Sequence, residues 1–385
     1  MSCPHCHEPA KFVSYRSKSF VSLVGTIDLD RAYYHCPDCH QGAVPWDETL
    51  RLSSDSLTPA AREVVSLTGL LTSFAEGGTA ALPKLTGLHL SESTVERTTE
   101  AAGRDVGARL ANGEVFGENR DWPWHKDADG QSCAYVSLDA TGVAQQGPQG
   151  AKTEGRMMTV AMVYNPVPEE QDRWASPEGR VPRFNVRYLA GLDGMATLGE
   201  PLRRQAAQVG MDRAERWIAI SDGGAGLEAW LETNFGRVDA VILDFYHASE
   251  YLGELARTLH PNDEAMREEW LGEWCHRLKH KGGVKVLEDL HELKVSGRAS
   301  CEVLVNVTRY FENQSHRMDY PYYVLKGWSI GSGPVESACK TVIGQRMKGA
   351  GMRWGEDGAN SVGHLRALFR SGDAQWDAYW HPTWN

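Results

Sequence analysis

No run in this 385-residue sequence stays apolar over the roughly 20 residues that a helix needs to cross a bilayer. The first residues, MSCPHCHEPAKF, have neither the charged nor the apolar region of a secretory signal. A cytoplasmic protein with no membrane partner is therefore the expectation. Positive charge is in short supply: 40 Lys and Arg face 51 Asp and Glu, a formal net charge of −11. That argues against a uniformly basic nucleic-acid binder. It leaves room for a local basic patch, which is what phosphate binding needs. The rest of the composition, 41% hydrophobic and 24% charged, is that of an ordinary globular protein. A chain of this length is expected to fold as two or three domains.

Cysteine is sparse but not randomly placed. Of eight, Cys133, Cys275, Cys301 and Cys339 are scattered and read as small buried hydrophobes. In the cytoplasm the others should be reduced thiols or metal ligands, not disulfides. CPHC at 3–6 and CPDC at 36–39 are two CxxC knuckles separated by His7 to His35. Each knuckle can place two thiolates on one ion, so Cys3, Cys6, Cys36 and Cys39 together complete a tetrahedral Zn²⁺ shell. His7 and His40 stand beside the knuckles as substitute ligands. The intervening FVSYRSKSFVSLVGTIDLDRAYYHC interleaves apolar and polar residues as β-hairpins do, which makes 1–46 a zinc ribbon. Four thiolates leave no open position, so this zinc is structural.

A polar bridge, VPWDETLRLSSDSLTP, leads to a helical region at 55–115. There Leu82, Leu85 and Leu88 recur at threes, Gly87 offers a turn, and Ser91 or Ser93 can cap a second helix. Ser93 with Glu96 has the spacing of a capping box. Helix, glycine turn and capped helix fit a helix-turn-helix, whose second helix enters the major groove, and equally an ordinary helical hairpin. Few basic residues (Lys84, Arg97, Arg104) lie near that second helix.

Residues 130–247 follow an α/β pattern. AYVSLDATG, RMMTVAMVYNP and FNVRYLAGLDG read as three strands, then a helix over Met195–Val209. A strand ending in Asp222, a glycine-rich passage into a helix, and a strand in VDAVILDFYH complete a mixed sheet. Asp139 and Asp222 both end strands, where carboxylates can converge on one edge. Strand-end carboxylates suit a hard cation such as Mg²⁺, or Mn²⁺, held by one or two acids and substrate phosphate. Asp244 and His247 in VILDFYH stand at the mouth of another buried strand. They fit a metal site, an acid/base pair, or a helix start with Asp244 as N-cap. Far downstream, GWSIGSGPVESACK breaks the chain at Gly331, Gly333 and Pro334 before Glu336, a possible third acid. Ser332 and Glu336 also fit a plain helix start.

SLDATG, ISDGGAGL, LDFYH and GSGPVESACK, in this order, resemble the motifs of a bacterial insertion-sequence DDE transposase. With the amino-terminal CPxC ribbon, the chain is similar to the ISKra-like family from Cys3 to about Trp354. Each motif alone is weak, and the ordered set is specific. The resemblance implies an RNase H-like catalytic core over 130–247, a helical insertion over 248–328, and a C-terminal helical part over 329–385 carrying the third acid. The 55–115 region would be a helical, helix-turn-helix-like DNA-binding region. Asp139, Asp222 and Glu336 would hold two catalytic Mg²⁺ (or Mn²⁺) ions, with Asp244 and His247 as an accessory signature. A competing assignment makes Asp244 the second acid and Asp222 a helix cap; the glycines around Asp222, which let backbone and phosphate approach closely, favour the first.

The implied partner is DNA, both element ends and target, with a homo-oligomer assembling on it. Lys340, Arg346, Lys348 and Arg353 follow Glu336 and are the expected DNA-backbone contacts. Arg277, Lys279, His280, Lys281 and Lys285 form a second basic face. Alternative functions are a transposase-derived DNA-binding protein that no longer cuts, and a metal-dependent nuclease that does not join.

Overall fold

The computed structural model describes residues 1–52, 56–148, 151, 153–168, 184–372 and 374–382. Residues 53–55 of the expected bridge, residues 169–183 of the expected core and the last three of the chain lie outside the described residues. The chain divides into two compact units, Met1–Asp105 with Asp377–Asn385, and Val106–Trp376.

The first unit begins with a three-stranded sheet. β1 (Lys11–Ser22) and β2 (Gly25–His35) pair antiparallel, and β3 (Gly42–Ala43) pairs with β2. The hairpin turns at Gly25, whose φ of 115° suits a residue without Cβ. α1 (Pro45–Thr49) follows, then α2 (Pro59–Leu71), started by Thr58 as N-cap and Pro59 at the first position. α3 (Leu82–Thr86) ends at Gly87, which takes the expected left-handed conformation at φ 74°. α4 (Glu92–Ala111) is the second helix of the pair.

Two local expectations are corrected here. Ser91, not Ser93, caps α4: its Oγ accepts from Thr94 N at 3.2 Å and its carbonyl accepts from Val95 N. Ser93 therefore falls inside the helix, and the Ser93–Glu96 capping box does not form. Leu82 and Leu88 are buried with Leu57, Ala61, Val65 and Val95, whereas Leu85 is 81% exposed. Gly87 ends the helix before Leu88, so the three leucines do not lie on one helix and cannot form one of its faces.

The second unit is mixed α/β around a six-stranded mixed sheet. β4 (His125–Lys126) is a short strand beside β5 (Ser132–Val143). β6 (Arg156–Pro168) and β7 (Phe184–Gly191) extend the sheet antiparallel on one side of β5. On the other side β8 (Arg216–Ser221) and β9 (Ala240–Leu243) run parallel to it, giving the order β7-β6-β5-β8-β9. A 3₁₀ turn at Met195–Leu198 and α5 (Gly199–Gln208) occupy the expected helix between β7 and β8. α6 (Leu227–Asn234) joins β8 to β9. β5 is almost wholly buried from Cys133 to Leu138, as a strand flanked on both sides must be.

Beyond β9 the chain is helical: α7 (Phe245–Leu259), α8 (Glu264–Glu292), α9 (Arg298–Gln314) and α10 (Tyr320–Leu325). α8 bends at Gly282, where φ is 82° and the next amide donates to Met318 O at 2.9 Å. α11 (Gly333–Ala338) continues through a π-helical segment to Met347, and α12 (Glu356–Arg370) packs against β7. Among the described residues no helix is long and apolar enough to cross a membrane.

Candidate functional site

Two places gather metal-binding side chains, one in each unit. In the first unit Cys3, Cys6, Cys36 and Cys39 bring their sulfurs within 4.8 Å of one another. The knuckles are built alike: His7 N donates to Cys3 O and His40 N to Cys36 O, both at 3.0 Å. These turns put His7 and His40 at positive φ, 65° and 58°, and neither belongs to the cluster. Sulfur pairs stand 3.6 Å (Cys3–Cys39) and 3.5 Å (Cys6–Cys36) apart. A tetrahedron with arms of ~2.3 Å has edges of about 3.8 Å, so the set could hold one Zn²⁺ with little adjustment. Among these close-set thiols the backbone N–H groups of Cys6 and His5 hold Cys3 down, to about 6, while burial and the neighbouring sulfurs push Cys6 and Cys39 up.

In the second unit a hollow of about 190 Å³ is lined by Asp139, Asp222, Asp244, His247, Glu250, Ser332, Val335 and Glu336. Every acid singled out in the sequence reaches it. Asp139 sits on β5 two residues beyond Ser137, the last to pair with β8. β5 itself does not end at Asp139 as expected, because its antiparallel ladder with β6 continues to Val143. Ala140 N donates to Asp139 Oδ1 at 2.6 Å, and the Cys339 thiol donates to Oδ2 at 3.4 Å. Burial pushes the Asp139 pKa up, and the Asp222 and Glu336 charges add to the rise.

Asp222 directly follows β8 and accepts from Gly224 N at 3.0 Å through Oδ1. It is not a helix cap, since Gly226 occupies that position of α6. The tight space at Gly223 belongs to Tyr310, not to a phosphate: a Cβ there would lie 2.7 Å from the Tyr310 hydroxyl oxygen.

Asp244 is the N-cap of α7, accepting from Tyr246 N at 3.0 Å. It is only 2% exposed, and it does more than cap. Its Oδ1 also accepts from Ser332 N at 3.2 Å, and Ser332 Oγ lies 2.6 Å from Oδ2. Ser332 Oγ is also 3.1 Å from Glu336 Oε1. Ser332 stands at the N-cap position of α11 without making a side-chain cap; its hydroxyl lies between Asp244 and Glu336 instead, donating its one proton to the nearer Asp244 carboxylate. His247 Nδ1 is 3.6 Å from Glu250 Oε2, and its ring edges onto Tyr251 and Tyr310, which stack at 3.7 Å.

The chemistry of this donor set, oxygen ligands that are partly buried and mutually repulsive, fits a hard divalent cation. As a set the acids do not close to the 4.8 Å that the cysteines reach, which is the only such group among the described residues.

The basic residues divide. Lys340, Lys348 and Arg353 are exposed, and Lys348 Nζ bonds Thr141 Oγ1, two residues from Asp139. Arg346 is 3% exposed and lies over the Trp354 ring, and burial pushes its pKa down to about 10. It is a packing cation, and the expectation that it contacts DNA is withdrawn. On α8, Arg277 pairs with Glu273 and Asp289, and Lys285 with Glu288 and Asp289. Two of the five residues expected to form that basic face are thus paired within their own helix, and Lys279, His280 and Lys281 are exposed.

Sequence reasoning missed Glu250, Tyr310, Arg317 and Cys339 as neighbours of the acids. Only Glu250 had a local signal, one turn after His247. No family model matches this chain, and no curated protein sequence is significantly similar to it.

Proposed function

We propose that this chain is a DDE transposase of the ISKra-like kind, cleaving and joining DNA at insertion-sequence ends. The observation that carries the reading is the convergence of Asp139, Asp222 and Glu336, from three distant segments, on one hollow. The strand order, with β6 and β7 antiparallel on one side of β5 and β8 and β9 parallel on the other, is what an RNase H-like core would have. Fold likeness raises the prior, and the function rests on the site.

When bound, a pair of Mg²⁺ or Mn²⁺ ions would supply Lewis acidity at the scissile phosphate and activate the attacking water or 3′-hydroxyl. Asp139, Asp222 and Glu336 would be the ligands. Asp222 is the better second acid than Asp244, because Asp222 is partly exposed and, among the described residues, accepts only from Gly224 N. Asp244 has both oxygens engaged and is 2% exposed. Asp244 instead orients Ser332, and through it Glu336. Lys348, beside the Asp139 strand, would meet the DNA backbone. His247 would orient a carboxylate or a phosphate from the hollow's rim. The helix pair α3–α4 serves as the helix-turn-helix-like DNA-binding element and the cysteine cluster as a zinc ribbon.

The test is single-turnover nicking and strand transfer with duplexes carrying the repeats that flank the coding sequence. Mg²⁺-dependent nicking followed by joining is the expected result. DNA binding without cleavage would establish the non-cutting alternative, and cleavage without joining the nuclease.

A further inference from the structure

Arg317 lies in a 3₁₀ turn (Ser315–Arg317) between α9 and α10, in a segment that carries none of the acids. It is 2% exposed, yet its guanidinium is well supplied with acceptors. Nη2 donates to Ser221 Oγ at 2.7 Å and lies 3.4 Å from the carbonyl oxygens of Ser221 and Asp222. Nε reaches Val241 O at 3.4 Å, and Nη1 donates to Gln314 Oε1 at 3.0 Å. One fork thus ties the last residue of β8, the acid that follows it, and β9.

Two more side chains from the same helical segment bear on the same strand ends. Tyr320 donates its hydroxyl to Leu243 O at 3.0 Å, and Tyr310 abuts Gly223. A lone buried cation is costly, and a guanidinium is tolerated here because several backbone and hydroxyl oxygens share it. A lysine, with one compact ammonium, cannot span the same acceptors.

We propose that Arg317 is a positioning residue that fixes the Asp222 turn for metal binding, so that the helical segment sets the metal affinity of the acidic hollow. This rests on reading that hollow as a divalent-cation site. The direction of the effect is diagnostic. A buried positive charge near a cation site weakens binding by repulsion, so its loss through charge alone would tighten binding. Arg317→Lys keeps the charge and loses the fork, so weaker binding in that variant reports the lost hold on Asp222 and not a change of charge.

The experiment titrates Mn²⁺ into the full, zinc-loaded chain and follows free Mn²⁺ by electron paramagnetic resonance. Wild-type protein should bind Mn²⁺, and Asp139→Ala should not. Arg317→Lys should bind about tenfold more weakly, the low end for partners that orient metal ligands. Ser221→Ala, which removes only the 2.7 Å contact, should show a smaller loss in the same direction. Circular dichroism and thermal midpoints accompany each variant, and if Arg317→Lys does not fold, Ser221→Ala decides. Mn²⁺ binding as tight as wild type, or tighter, in the folded variants overturns the proposal, even if their thermal midpoints fall. Identical Mn²⁺ behaviour of wild type and Asp139→Ala overturns the cation-site reading itself.

Discussion

The two candidate metal centres of this chain are built in opposite ways. The cysteine cluster takes all four ligands from two knuckles within the first 39 residues, and their sulfurs sit within 4.8 Å of one another. Its geometry is fixed by two copies of the same local turn. The acidic hollow draws on β5, the turn after β8, the cap of α7 and the first turn of α11, from Asp139 to Glu336. Its members are spread wider and one of them is buried under hydrogen bonds. A shell closed by local backbone geometry has no position left for a substrate and can only stabilise. An open shell assembled over long range can take a substrate, and it depends on every element that holds its members in place.

The largest expected effect tests the first half of that contrast. Elemental analysis should find about one zinc per chain. Chelation, or Cys36→Ser, should remove hydrogen-exchange protection from residues 1–46, since apparent zinc-binding energies of ~10 kcal/mol or more are folding energy in such small units. Protection of the six-stranded sheet should persist. Loss of the sheet along with the ribbon would break the comparison.

Next come the acids. Asp139→Ala, Asp222→Ala and Glu336→Ala should each lower single-turnover nicking by on the order of a thousandfold, as losing several kcal/mol of charge stabilisation requires. Each should keep the wild-type circular dichroism and bind DNA. Nicking that survives any one of these substitutions would remove that acid from the set.

Asp244→Ala separates a ligand from a brace. It strands the amides of Tyr246 and Ser332 and leaves the Ser332 hydroxyl with Glu336 alone, and should cost about 1–3 kcal/mol of stability measured by urea denaturation. Nicking should fall only in part. An inactive Asp244→Ala beside an active Asp222→Ala would exchange their roles.

The smallest effect concerns the metal-free fold. The Asp139 pKa is raised in the folded state by burial and by Asp222 and Glu336. Its ionisation therefore opposes folding: the contribution is intact below the ordinary aspartate range and is lost as pH rises through the raised value. Asp139→Asn should have a higher thermal midpoint than wild type at pH 7 in chelator, and the difference should vanish at acid pH. An equal or lower midpoint at pH 7 would mean that the acids do not strain one another.

Where chemistry follows the local chain, the sequence was a good guide. CxxC spacing, the left-handed turn at Gly87, the succession of strands β5 to β9 and Asp222 at the end of β8 were legible in residue type and period; the end of β5 was not, because its ladder with β6 runs on past Asp139 to Val143. Even Asp244 as a helix cap could be read, because capping needs only the next few amides. The errors have a common cause. Arg346 looks like a phosphate ligand in sequence, and only the packing of Trp354 above it shows a buried cation. Arg277 and Lys285 look like a basic face until Glu273, Glu288 and Asp289 pair with them across the helix and its bend.

Sequence alone therefore determined the kinds of candidate donor, soft thiolates near the start and hard carboxylates further on, because that chemistry is written in the residue. Tertiary structure decided that Asp244 is buried and Asp222 is not, and that the Ser332 hydroxyl stands between Asp244 and Glu336. It also decided that Arg317 braces the strand ends from 95 residues beyond Asp222. Burial and long-range hydrogen bonding set those outcomes, and neither has a period that a chain can display.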